Sequence, residues 1–430
     1  MIYSLKNLRM FIFILVMFSM VFPRQVLSRT QKIPKKSKPS ITQQTRQTQE
    51  TQGTAQSGLR CDARSAVLMD ALSGQLLFEQ NPDSKIPPAS FGKVLTLYLA
   101  FDAIRAGQLK MDEMVTVSEK AWKMQGSKMF IKVGERVKLE DLLKGIAISS
   151  GNDACVALAE HMSGSEEAFV SKMNEKASFL GMKDSQFRNS HGMPAEGQVT
   201  TAKDMATLAW RYIEDHPKAL AFHSTTEYEY NKIRQYNRNT LLFKNIGVDG
   251  LKTGHVEEAG FHLLATAKRD GRRIIAVVMG CDRMNKRARE AQALLEHGFK
   301  NFSTVEAVKK GASFGPVKVK RGKESKMAVV ASEPGWVTVP KGKENLISIS
   351  PQLPDVVAAP IQKDQLIGKV LIQNEGKVQR EVNLISPVDI PKSFLPPWPV
   401  TLGVGFGVLL VLLIGLWRVR VRRTRPKPLR

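Results

Sequence analysis

Ser90 and Lys93 stand three residues apart in Ser90-Phe91-Gly92-Lys93, the only Ser-x-x-Lys of the chain. Ser150-Gly151-Asn152 is its only Ser-x-Asn, and Lys252-Thr253-Gly254 its only Lys-Thr-Gly. Acyl transfer through a serine needs a nucleophile, a proton acceptor, and donors for the oxyanion and the leaving group. These residue types supply all of that without histidine, and no cofactor or metal is expected. Residues three apart at a helix start share one face, so Lys93 can take the Ser90 proton. The positive end of the helix favours an alkoxide there. Lys93 must lose its own proton near neutral pH, and burial beside a second cation, here Lys252, pushes it that way. Ser150 can pass a proton to the leaving group, and the Asn152 amide can hold Lys93 and a substrate carbonyl. Gly254 lets an extended substrate approach a strand, while Lys252 and Thr253 offer a charge and a donor to a terminal carboxylate. Each triplet alone has an ordinary structural reading: a capping Ser before a solvated Lys, a Gly–Asn junction between helices, a strand end. The weight lies in their joint occurrence.

The flanking pattern supplies elements to hold them. Ala66–Asp70, a turn at Ser73-Gly74 and Gln75–Phe78 read as a hairpin. A helix starts at Ser90 after Pro87-Pro88-Ala89, with Val94, Leu95, Leu97, Tyr98, Leu99, Phe101 and Ile104 to bury. Lys138–Ile148 and Asn152–Met162 read as two more helices, with Ser150 in the break between them. Val248–Thr253, Phe261–Ala267 and Arg273–Met279 read as strands, the first ending on Lys252-Thr253-Gly254. Arg287–His297 reads as a final helix. Strands at both ends of a helical middle predict an α+β head, one antiparallel sheet with packed helices, completed by the first hairpin. Beyond Phe302 the pattern turns to alternating segments (Val317–Lys320, Trp336–Val339, Leu346–Ile349, Leu366–Ile372, Val378–Val382), a small all-β domain over 303–393 after a head over 59–302.

The 430 residues carry a formal charge of +24, concentrated at the ends. No basic structured surface for nucleic acid is expected. Lys6 and Arg9 before the apolar run Met10–Phe22 read as a secretory signal over 1–28. The Gln/Thr/Ser/Lys-rich 29–58 reads as a disordered linker. Pro399–Trp417 is apolar apart from Thr401, about 28 Å as a helix, which is close to a bilayer core. Trp398 and Trp417 flank it. A basic tail over 418–430 (Arg418 to Arg430, with no acid) puts that end in the cytoplasm and the rest outside. Cys61, Cys155 and Cys281, an odd number, do not predict a disulfide framework. Cys155 reads as a small buried residue.

From Arg64 to Phe302 the chain resembles the low-molecular-weight penicillin-binding proteins, serine-type D-Ala-D-Ala carboxypeptidases. The resemblance rests on the three motifs and on further segments. These are Met69-Asp70-Ala71 with Ser73-Gly74, Pro88-Ala89-Ser90, Gly126-Ser127, His191-Gly192, Thr201-Ala202-x-Asp204-Met205-Ala206, Asn237-Arg238-Asn239 and Val248-Asp249-Gly250-Leu251 running into Lys252. It implies a penicillin-binding/β-lactamase-like transpeptidase fold. It implies that Ser90 is acylated and Lys93 is its base, that Ser150 and Asn152 form the second motif, and that Lys252, Thr253 and Gly254 form the third. The N–H groups of Ser90 and His255 would form the oxyanion hole. Arg238 and Arg287 match arginines near the substrate carboxylate. The family's common anchor lies on the membrane; here the terminal segment is apolar all round.

The sequence therefore predicts an exported, membrane-tethered enzyme acting on peptidoglycan stem peptides and acylated by β-lactams. The alternatives are a DD-endopeptidase with the same chemistry and a non-catalytic penicillin-binding scaffold or sensor. No Glu-x-x-Leu-Asn segment is present to support a β-lactamase.

Overall fold

The computed structural model describes residues 59–393 and the helix 398–423, with side chains of that helix described for 402–420. The expected signal, linker and most of the basic tail lie outside these residues.

The head is built on a five-stranded antiparallel sheet. Its strands are β1 (Ser65–Asp70), β2 (Leu76–Gln80), β3 (Val248–Val256), β4 (Gly260–Arg269) and β5 (Arg272–Cys281). They lie in the order β2-β1-β5-β4-β3, so the first hairpin does complete the sheet of the late strands. Strand alternation sends Val67 and Met69 into one apolar core and Ala66 and Leu68 into another. Both faces are therefore covered, which is why β1 is buried throughout.

On one face pack α1 (Gly92–Arg105), α2 (Leu139–Lys144), α3 (Asn152–Ser163), α4 (Glu166–Phe179) and α5 (Ala202–Asp215). Leu95, Leu97 and Tyr98 make α1 the buried axis of this layer. The other face is covered by α6 (Met284–Asn301), longer at both ends than expected. A single 3-10 turn, Ala89–Phe91, precedes α1, so Ser90 lies on the turn that leads into the helix. Lys252-Thr253-Gly254 sits inside β3; the strand runs to Val256, three residues past the expected Thr253. The stretch 163–247, largely unassigned from sequence, holds α4 and α5. Each begins on a side-chain cap: Ser165 accepts from Ala168 N and Thr201 from Asp204 N.

Beyond the head the chain is all β, from Phe302–Val308 to Lys377–Ile385, in a six-stranded and a two-stranded sheet around a separate core. The Met69-Asp70-Ala71-x-Ser73-Gly74 segment meets this part. Ser73 Oγ lies 2.7 Å from Thr338 Oγ1, and Thr304 Oγ1 donates to Asp70 Oδ2 at 2.7 Å. The Arg380 guanidinium donates to Ser73 O. The terminal helix α7 (Trp398–Arg423) spans about 39 Å at 1.5 Å per residue. Its Leu402–Arg420 stretch is long and apolar enough to cross a membrane.

Candidate active site

The three motifs converge. A cleft of about 380 Å³ is lined by Ser90, Ser150, Asn152, Thr253, Gly254 and His255, with Arg238 and Arg287 among its other walls. A larger hollow of about 840 Å³ beside Asp102, Glu113 and His161 holds none of the motif residues.

Lys93 is fully buried at the floor of the cleft. Its ammonium donates to Ser90 Oγ at 3.1 Å, to Asn152 Oδ1 at 2.7 Å, and to the carbonyl of His191. Burial, and then the neighbouring Arg238 charge, lower its pKa to about 8. Lys252, 3% exposed, is itself pushed well below the ordinary lysine range, by burial first and then by Lys93. Lys93 thus sheds its proton close to neutral pH and can accept one from Ser90.

Ser150 lies between α2, prolonged by a short π-helical stretch over Gly145–Ser149, and α3. Its φ of +64° places it in the left-handed region, and its hydroxyl is buried with no hydrogen-bond partner. A buried hydroxyl without a partner is available to a third group entering the cleft. The Asn152 amide oxygen holds Lys93, and one of its two Nδ2 hydrogens goes to Gln125 O at 2.7 Å. Asn152 therefore fastens the 125–130 loop to the base. Asp153 completes that attachment, accepting from Met129 N and Phe130 N at 2.8 Å each.

Thr253 and Gly254 face the Ser90 turn from β3; a side chain on Gly254 would come within 3.2 Å of Ala89 Cβ. His255 stacks on Phe261 at 4.0 Å. Arg238 donates to Ser127 Oγ at 2.7 Å. Arg287 is 5% exposed, donates to Gly254 O at 3.1 Å and lies 5.7 Å over the Phe261 ring. Burial and these contacts hold Arg287 inside the cleft wall, whereas Arg238 is exposed and held through Ser127.

Other residues act on the site without having announced themselves. Gly192 carries φ +85°, and a Cβ there would fall 1.7 Å from Ala89 O. Gly192→Ala is expected to displace the Ser90 turn and slow acylation by about 10²-fold or more, read as the labelling rate with a fluorescent penicillin. His262 accepts from Gly280 N at Nδ1, so its Nε2–H donates to Pro87 O. Burial lowers its pKa to about 4 and keeps this neutral tautomer. It ties the segment before Ser90 to β4. Glu166, near the start of α4, accepts from Ser190 N and Oγ, and so steadies the loop whose His191 carbonyl receives Lys93. His191-Gly192 and Gly126-Ser127 were visible in sequence only as family-like segments. Nothing in sequence singles out Glu166 or His262.

Comparison with known proteins identifies the family. A family model described as D-alanyl-D-alanine carboxypeptidase matches residues 49–283, and one described as penicillin-binding protein 5, C-terminal domain, matches 302–392. The chain is 43% identical over 284 residues to the D-alanyl-D-alanine carboxypeptidase DacC of Escherichia coli strain K12, covering 64% of this chain and 71% of that one. It resembles the crystal structure of penicillin binding protein 5 from Haemophilus influenzae with a TM-score of 0.74 at 36% identity, over 79% of this chain and 100% of that one. Penicillin-binding protein D2 from Listeria monocytogenes, solved in its ampicillin-bound form, matches 57% of this chain and 100% of its own with a TM-score of 0.53 at 31% identity. With the Ser90–Lys93–Asn152 cluster facing Thr253 across one cleft, these matches place the chain in the D-alanyl-D-alanine carboxypeptidase family.

Proposed function

We propose that this enzyme trims peptidoglycan stem peptides through an acyl-enzyme on Ser90. The observation that carries the reading is the wholly buried Lys93 ammonium, 3.1 Å from Ser90 Oγ and lowered to about 8. Neutral Lys93 takes the Ser90 proton as Oγ attacks the carbonyl between the two terminal D-alanines. The N–H groups of Ser90 and His255 receive the oxyanion. Ser150, its hydroxyl unpaired, relays the proton to the departing D-alanine nitrogen. Thr253, Arg238 and Arg287 on the cleft wall, with the buried Lys252 on the same strand as Thr253, supply positive charge and donors for the terminal carboxylate, and Gly254 leaves room for the peptide along β3. Water then attacks the acyl-enzyme as Lys93 takes its proton, and Lys93 returns that proton to the departing Ser90 Oγ. A β-lactam opened by Ser90 stays bound; ampicillin on the Listeria protein supports extending this to the present chain.

The apolar α7 supports a single-pass anchor, with the head on the extracytoplasmic side and the basic tail inside. The head would be the 59–302 domain, carried above the bilayer by the β domain 303–393. In spheroplasts, added protease is expected to digest the head and spare an epitope at the C-terminus. Digestion of the epitope in intact spheroplasts reverses the topology.

The deciding experiment incubates the purified chain with a Lys-D-Ala-D-Ala peptide and, separately, with benzylpenicillin. Free D-alanine and a mass adduct on the Ser90 peptide are expected. An adduct on another residue overturns the assignment. Cleavage of cross-linked dimers in preference to the pentapeptide end would make the enzyme an endopeptidase.

A further inference from the structure

The three cysteines are not equivalent. Cys155 is fully buried alone in the helical core beside the active site. Cys61 and Cys281 lie together on the other side of the sheet, 3% and 1% exposed, in the same apolar cluster as Leu241, Ala291 and Leu294. Cys281 ends β5, and its sulfur contacts the carbonyl oxygen of Asp62, the residue after Cys61, at 3.6 Å. The Glu290 carboxylate raises the pKa of both thiols, after burial, and each thiol sits near about 12. Both are free in this structure.

The segment carrying Cys61 is already clamped. Gln80 on β2 accepts from Cys61 N at 3.1 Å and donates to Cys61 O and Ala63 O. Glu290 on α6 accepts from Asp62 N at 3.0 Å, and Lys286 pairs with Asp62 at 2.5 Å. The arm cannot drift from Cys281 while these contacts hold.

We propose that Cys61 and Cys281 form a native intramolecular disulfide, which staples the N-terminal arm to the end of β5 and to the start of α6, the helix that carries Arg287. The inference rests on the extracytoplasmic placement above, because such bonds persist in oxidising compartments. The oxidant is a disulfide-bearing thiol oxidoreductase. Cys61 attacks its S–S bond to give a mixed disulfide, and Cys281 then displaces the remaining carrier sulfur. One S–S bond forms in the chain as one breaks in the carrier, and the two cysteine protons pass to the carrier's reduced thiols. Thiols with such raised pKa values are poor nucleophiles once buried, so the bond closes during folding, while the arm is still open. Cys155 has no partner in this scheme, which accounts for the odd count.

The test isolates the full chain with its signal from its native membrane, with thiols blocked at lysis, and maps its peptides without reductant. The Cys61 and Cys281 peptides are expected joined, with Cys155 blocked as a free thiol. Reduction is expected to lower Tm by about 5 °C or more, because the bond closes a loop of most of the head. The variants Cys61→Ser and Cys281→Ser should lose that response to reductant, and Cys155→Ser should keep it. Complete alkylation of all three thiols, a bond to Cys155, or a bond between chains overturns the proposal. A second arm refolds the reduced full chain in detergent with a glutathione redox buffer. Failure to join the pair there overturns their proximity. Joining there but not in the native membrane overturns the bond as a native one. A missing penicillin adduct on Ser90 with the pair joined would strike the active-site reading and leave this one standing.

Discussion

Replacing Ser90 by alanine is expected to lower D-alanine release by about 10⁴-fold or more and to erase the benzylpenicillin adduct. No other group in the cleft can take over. The Ser150 hydroxyl is buried without a hydrogen-bond partner and has no base of its own, and Lys252 donates to the carbonyl of Thr253. The fold should be unaffected, because the one side-chain hydrogen bond of Ser90 is to Lys93. Tm measured beside the activity separates the two outcomes: an unchanged Tm with lost activity is the expected result. Release that persists in Ser90→Ala at even a tenth of the normal rate would assign the nucleophile elsewhere.

The second expectation follows from the proton on Lys93. The base works only when neutral, and its pKa is lowered to about 8 by burial and by Arg238. The acylation rate constant kcat/KM should therefore rise about tenfold per pH unit below that value and level off above it. A flat profile between pH 6 and 9 would remove Lys93 from the role. Lys93→Arg keeps a charge that does not titrate in this range, so acylation should fall by about 10³-fold and the limb near pH 8 should vanish. The same shift has a consequence for stability. The folded-state pKa lies below the unfolded lysine value, so between about 8 and 10.5 the unfolded chain binds more protons. Lys93 then adds stability as pH rises through that window, and the gain is absent below it. Urea melts of the wild type against Lys93→Met across this range measure the difference.

Much of the site was legible because its chemistry is local in sequence. Ser90 and Lys93 are one helical turn apart, so backbone geometry alone sets their contact. Lys252, Thr253 and Gly254 alternate along one strand. The β segments past Phe302 showed themselves by alternation, and α7 by an apolar run that needs no partner to be recognised. Less was legible where the cause is distant. Arg238 and Lys252 are both positive and both sit on the late half of the head. How strongly each weighs on Lys93 depends on side-chain placement across the cleft; the sequence reading named Lys252, whose ammonium and that of Lys93 do repel each other, and not Arg238. Nothing in its own segment shows that Arg287 is buried; the packing of α6 against β4 and β5 makes it so.

His262, Glu166 and Gly192 belong to the same class. Each is ordinary in its own segment and matters through contacts with another: Pro87 O, Ser190 and Ala89 O respectively. The paired thiols are the sharpest case, since 219 residues separate Asp62 from Cys281 in that contact. The amino-acid sequence by itself pointed to the candidate reacting groups, the sheet strands at both ends of the head and the membrane-length terminal helix, because periodicity and motif spacing act over a few residues. Only the tertiary structure decided which charges, carbonyls and sulfurs share a low-dielectric neighbourhood. That is set by side-chain packing between remote segments, which spacing along the chain does not encode.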